Sequence, residues 1–378
     1  MPLENNGKSE NVITTDEEYD NKEDETAFIG RRRIKKIHIL KRRVEKNLTC
    51  RENLDGYRPV HTSHWNLPCL ESLRIFYSVK PLPLSELLDI VYKNTCMFEP
   101  LTLNQTKVVN FLQNSLDFCT SIGDVMIYSR RYPREIGRDL LEEIKKNLDK
   151  DIFKNNSFER QIENFIKSTV FMMYFMRNER EPSNIQENVF EDLFNKFLLM
   201  CDLVPSGSLW QVKAKLLQQH VQSETDLVIL PSDPTQSEAV TALSIVKITN
   251  LADYLHSPPS SSADDRVKPE IYNKISEKVL GQHGGELIVH NGIFNKNFEN
   301  KKDKNAYLPG MIVVGTEVTF TLLVISYEHF LNSLRKKVVE KSESYIYYSE
   351  TKDMLKKEER DQLLEAFGRL QNTACQVQ

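Results

Sequence analysis

Apolar side chains recur at helical spacing through the first half of the chain and at strand spacing through much of the second. Pro83–Tyr92 places Leu84, Leu87, Leu88 and Val91 on one face, which predicts an amphipathic helix. Thr106–Phe118 repeats the stripe with Val108, Phe111, Leu112 and Leu116, and Arg134–Leu148 repeats it with Ile136, Leu140, Leu141, Ile144 and Leu148. Phe158–Met176 ends in Val-Phe-Met-Met-Tyr-Phe-Met, apolar on more than one side, so that turn is expected to be deeply buried. Ser183-Asn-Ile-Gln186 has capping-box spacing and opens a helix with Val189, Leu193 and Phe197 aligned, flanked by Phe190, Phe194 and Leu198. Stripes of Phe, Met and Leu at this spacing are core rather than cofactor site.

Pro205-Ser-Gly-Ser208 breaks the helical pattern. Leu209–Val221 is expected to be a short helix. Three β-branched, apolar runs follow: Asp226–Leu230, Ala242–Ile248 and Met311–Ile325. The last is long enough for two strands with a bend, or for one long bulged strand, with Gly315 marking the irregularity. Pro231–Ser237 is a polar, proline-containing connection that makes the first two runs neighbours in one sheet. Ser257–Asp265 reads as a surface insertion. Pro269–Val279 is expected to be helical, interrupted by Gly281-Gln-His-Gly-Gly285, with Glu286–His290 a further short strand or helix. Tyr345–Tyr348 reads as an edge strand, and Lys356–Leu370 as a closing helix with Leu363, Leu364, Phe367 and Leu370 inward. The fold class expected is α+β: a helical N-terminal half followed by a mixed β-sheet core flanked by helices. The chain divides into an acidic then basic disordered arm (1–50), a mostly helical region (51–204), an α/β core (205–350), and a C-terminal amphipathic helix and tail (351–378).

Composition narrows the class. Of 378 residues 40% are hydrophobic and 28% charged, enough apolar material for a buried core, so wholesale disorder is excluded. A net charge of −4 excludes a chain-wide polycation. The six cysteines are dispersed with no C-x-x-C pair, which argues against a local zinc knuckle and for free thiols in a reducing compartment. The first residues carry no apolar leader segment, and no apolar run approaches the ~20 residues that span a bilayer. The expected location is therefore intracellular, with no membrane. Acidic residues crowd positions 16–25, then Arg31, Arg32, Arg33, Lys35, Lys36, Lys41, Arg42 and Arg43 reverse the sign. That run reads either as a nuclear-import signal or nucleic-acid arm, or as a solvated segment neutralised by the acidic one.

One constellation carries chemistry. Glu224-Thr-Asp226 leads into an apolar strand, and Lys247 sits inside the next one, where a lysine is costly unless it faces a polar site. An acid at the start of one strand and a lysine on its neighbour are expected to face one pocket, in which the carboxylate would hold a divalent cation. The lysine would orient the attacking water and steady phosphate charge. In order of elements and in these residues, the stretch 205–350 resembles the PD-(D/E)XK nucleases, the restriction-endonuclease-like superfamily. The resemblance implies Asp226 and Lys247 as catalytic residues, Asp226 and Glu224 as metal ligands, Mg2+ as cofactor where the site is active, and nucleic acid as partner. Two positions before Lys247, where that pattern places Asp or Glu, stands Ile245. Glu224 or Glu286 would have to supply the missing carboxylate. The expectation is a nuclease-like protein degraded in its metal site, binding or formerly cleaving nucleic acid. The alternative is a non-enzymatic module that docks a protein partner on its helical surface. His61-Thr-Ser-His64 offers two imidazoles but no adjacent third ligand, and His283 with its glycines reads as a turn.

Overall fold

The computed structural model describes residues 59–95, 97–121, 138–139, 142, 156–178, 185–207, 211–216, 219–230, 244–249, 268–290, 305–335 and 342–371. The N-terminal arm, most of the predicted helix Arg134–Leu148 and the Ser257–Asp265 insertion lie outside them. Arg58–Gln378 forms one compact unit. Its described helices are α1 (Leu67–Glu71), α2 (Leu84–Thr95), α3 (Leu103–Ser115), α4 (Asn156–Asn178), α5 (Glu187–Met200), α6 (Glu277–Val289), α7 (Tyr327–Arg335) and α8 (Lys357–Gln371). The strands are β1 (Ile75–Tyr77), β2 (Val204–Gly207), β3 (Gln211–Leu216), β4 (Gln219–Glu224), β5 (Leu227–Leu230), β6 (Ser244–Thr249), β7 (Asn305–Val314), β8 (Glu317–Ser326), β9 (Ser344–Tyr348) and β10 (Lys352–Asp353). The expected α+β class is what is found: helices first, then a mixed sheet flanked by helices.

The sheet runs β1-β9-β8-β7-β6-β5-β2, with β10 added to β8. β2, β5 and β6 are antiparallel neighbours, β6 and β7 are parallel, and β1 pairs parallel with β9. The parallel step from β6 to β7 requires a crossover, and α6 lies on it. β3 and β4 form a separate two-stranded ribbon between β2 and β5.

Because strand side chains alternate, each strand serves both faces of the sheet. Leu227, Ile229, Val246, Ile248, Met311, Val313, Val318, Phe320 and Leu322 belong to one buried apolar cluster with residues of α2, α3, α4, α5 and α8. Phe367 of α8 is its hub, with ring centroids 5.5 Å from Phe320, 5.6 Å from Phe197 and 6.0 Å from Phe194. The stripe expected for α2 is buried as expected, Leu84, Leu87, Leu88 and Val91; in α5 Phe190, Leu193, Phe194, Phe197 and Leu198 are buried, while Val189 is half-buried. Arg360 locks α8 in place. Its guanidinium is fully buried without a carboxylate, donating to the carbonyls of Met354, Leu355, Leu116 and Phe118 and lying 3.9 Å over the Phe118 ring. Burial lowers its pKa to about 10, and the ring of carbonyls compensates the charge.

The opposite face is covered by α6. There Gly310 and Thr321, paired across β7 and β8, face His283, whose Nε2 lies 2.8 Å from Thr321 Oγ1. Gly281-Gln-His-Gly-Gly285 does not interrupt the helix, as its sequence suggested, but forms its interior. The reason is space. A Cβ on Gly281 would lie 2.1 Å from the Asn66 carbonyl carbon, and one on Gly285 would lie 2.7 Å from the Trp65 ring. The glycines let α6 press against α1 and the turn before it, and that packing outweighs the ~1 kcal/mol per glycine that a helix loses relative to alanine. Glu270–Asn273 is a separate 3-10 turn, so the helix expected over Pro269–Val279 starts later, at Glu277, capped by Ser276.

Other differences have local causes. Within the helix expected over Leu209–Val221, the described residues 211–216 and 219–221 are strand, part of the β3–β4 ribbon; Val212, Ala214 and Leu216 alternate with Gln211, Lys213 and Lys215, a period of two. Tyr345–Tyr348 is not at the edge, because β1 pairs outside it. In α4 only part of the terminal apolar turn is buried: Met172, Met173 and Met176 are inside, while Phe171, Tyr174 and Phe175 are exposed. Met311–Ile325 resolves into two strands, with Gly315 at φ 61° in the tight turn between them.

Candidate functional site

The residues singled out by sequence meet at the junction of the ribbon and the main sheet. β4 ends at Glu224, Thr225 and Asp226 form a bend, and β5 begins at Leu227. The pairing of β5 with β6 stops at Leu227 and Val246, so the Ile248 amide has no partner from the β5 backbone. Asp226 supplies one: its Oδ2 accepts from Ile248 N at 2.8 Å. The carboxylate thus pins the bend to β6 one residue beyond Lys247. Lys247 itself lies in β6, in register with Ile312 of β7.

A cleft of about 260 Å³ opens here, lined by His61, Thr62, Ser63, Gln222, Glu224, Thr225, Asp226 and Gln282. Glu224 and Asp226 both line it. One wall was not foreseen. The 3-10 turn Thr62–His64 is stitched to β4 by Gln222 N donating to the Val60 carbonyl at 2.7 Å and Thr62 Oγ1 donating to Ser223 Oγ at 2.9 Å. This turn carries His61 and Ser63 into the cleft, and the His61 and His64 rings stand edge to face 6.1 Å apart. The floor is Gln282 of α6, whose Nε2 donates to Glu286 Oε1 at 2.8 Å. That bond fixes the amide orientation and leaves the carbonyl oxygen of Gln282 for the cleft.

Glu286, offered by sequence as a substitute ligand, is fully buried behind Gln282 and does not line the cleft. Together with Tyr272, and after burial itself, its charge raises the Tyr77 hydroxyl pKa well above normal. Among the described residues the donor set does not make up a Mg2+ catalytic centre. Two carboxylates line the cleft, one of them engaged by a backbone amide, and among the described residues no group of three His, Cys, Asp or Glu is placed to hold a metal ion. A hard divalent cation needs several oxygen ligands to offset its dehydration. What the cleft presents instead is a concentration of acceptors: Glu224, Asp226 and the Gln282 carbonyl.

The chain matches no known family model and no curated protein. Among the described residues, no helix is long and apolar enough to cross a membrane.

Proposed function

We propose that this protein is a nuclease-like nucleic-acid-binding protein whose cleft has lost the ligand set for metal-dependent cleavage. The observation that carries the reading is the placement of Asp226 at the entry of β5, fastened to β6 beside Lys247, with Glu224 in the same cleft. The surrounding connectivity supports it, with α5 in the place of the helix expected over Leu209–Val221: α5, the antiparallel strands β2, β5 and β6 with the β3–β4 ribbon inserted after β2, the crossover helix α6, and the parallel strand β7. Ile245 stands where a second carboxylate is expected on β6, and Asp226 serves the backbone. Binding therefore outlasts hydrolysis.

The test is binding of the full chain to labelled single-stranded and duplex oligonucleotides by fluorescence anisotropy from 50 to 200 mM salt. Salt-sensitive binding is expected, because phosphate contacts displace counterions. Absence of binding at every salt concentration would overturn the reading. It would favour the second one, a protein-docking module, for which the specific observation is the exposed aromatic patch Phe171, Tyr174 and Phe175 on α4.

A further inference from the structure

Resting on that reading, we infer that the solvent face of the β3–β4 ribbon is a rail for the phosphates of a single nucleic-acid strand, leading it into the cleft. The ribbon is two-faced. Leu216, Val221 and Ser223 are buried, and this inner face packs against α6 and α7. The outer face carries the cross-strand pairs Lys215 with His220, Lys213 with Gln222, and Gln211 with Glu224. Along this ladder the charge changes from basic near the ribbon's tip to acidic at the cleft, and its last rungs, Gln222 and Glu224, are cleft residues.

Lys213 and Lys215 are exposed, and neither has a hydrogen-bond or ion-pair partner among the described residues. Residues two apart on one face of a strand are separated by about 6.7 Å, so two ammonium groups stand in line on a backbone fixed by packing from behind. An extended polyanion matches such a row. Glu224 and Asp226 repel phosphate at the far end, so the phosphates lie on the lysines. What enters the cleft is a base edge or sugar hydroxyl, whose donors suit the Glu224, Asp226 and Gln282 oxygens. A row this narrow touches one strand.

The experiment compares the full-length wild type with a Lys213→Gln/Lys215→Gln double variant and a Lys213→Arg/Lys215→Arg control. Binding to a labelled single strand is followed by anisotropy from 50 to 200 mM salt. Each lost phosphate contact lowers the slope of log affinity against log salt by roughly 0.7 on a single strand, so the glutamine variant should lose about 1.4. That corresponds to about sevenfold less affinity change over this salt range. The arginine variant should keep the wild-type slope, and unchanged thermal melting verifies the fold. Wild-type binding with an unaltered slope in the glutamine variant overturns the rail and leaves the functional reading standing. No wild-type binding overturns both. With a duplex of the same sequence titrated alongside, an equal loss of slope on duplex and single strand overturns the assignment to a single strand.

Discussion

On one face of the sheet Phe320 meets Phe367, in a cluster that includes Met311; on the other, one residue along each strand, Gly310 and Thr321 meet His283. The first face is apolar and aromatic, covered by five helices, and Arg360 beside it is held by main-chain carbonyls. The second is covered by a helix with three glycines and carries His283, Gln282 and Glu286 in its interior. Polar groups in a low-dielectric interior must be fully satisfied or they cost stability. The polar face is the one that opens into the cleft. The same strands thus give a face that holds the fold and a face that positions chemistry.

Substitutions at four positions test that contrast. Phe367→Ala removes the hub of the aromatic face and should cost about 3–5 kcal/mol, read from urea unfolding. A cost below that of the polar-face variants would mean the stability is not where this contrast places it. Gly281→Ala adds helix propensity but places a methyl against the Asn66 backbone. Overpacking of that kind costs about 1–3 kcal/mol, so a net loss is expected, and a gain would show that α6 does not lie so close. Asp226→Ala leaves the Ile248 amide without its acceptor and should cost about 1–3 kcal/mol, whereas Asp226→Asn, which retains an acceptor oxygen, should cost less.

The smallest effect concerns the register pair Glu317 and Asp353 of β8 and β10. Burial is the first cause of a raised pKa at both carboxyls; the charge of Asp353 then adds to the rise at Glu317, and the charge of Glu359 adds to the rise at Asp353. A carboxyl whose pKa is raised by folding favours the folded state at low pH, and that contribution is lost as pH rises above the ordinary carboxylate range. Glu317→Gln should therefore stabilise the protein more at pH 8 than at pH 4, measured by urea midpoints. The opposite order would mean that the lysines nearby, Lys356 and Lys274, dominate the pair.

How much of this could be read in the chain depends on range. The strands β5, β6, β7 and β8 follow from β-branched runs, and the α2 and α5 faces follow from their spacing, because both signals are local. The junction of Glu224 and Asp226 follows from the same runs. The helix α6 does not: a glycine cluster reads as a breaker unless Asn66 and Trp65, far upstream, are known to press against it. The wall carrying His61 and Ser63 rests on hydrogen bonds to β4 that no spacing encodes. The lysine ladder was legible in the alternation Gln-Val-Lys-Ala-Lys-Leu, which a helical reading of Leu209–Val221 obscured.

The most direct test of the central claim is a cleavage assay. Full-length protein is incubated with end-labelled single-stranded and duplex substrates in Mg2+ or Mn2+, beside Asp226→Ala and Lys247→Ala variants. Bound but intact substrate is expected in all three. Robust cleavage by the wild type, abolished by either substitution, would show that a carboxylate from elsewhere completes the site, and would contradict it.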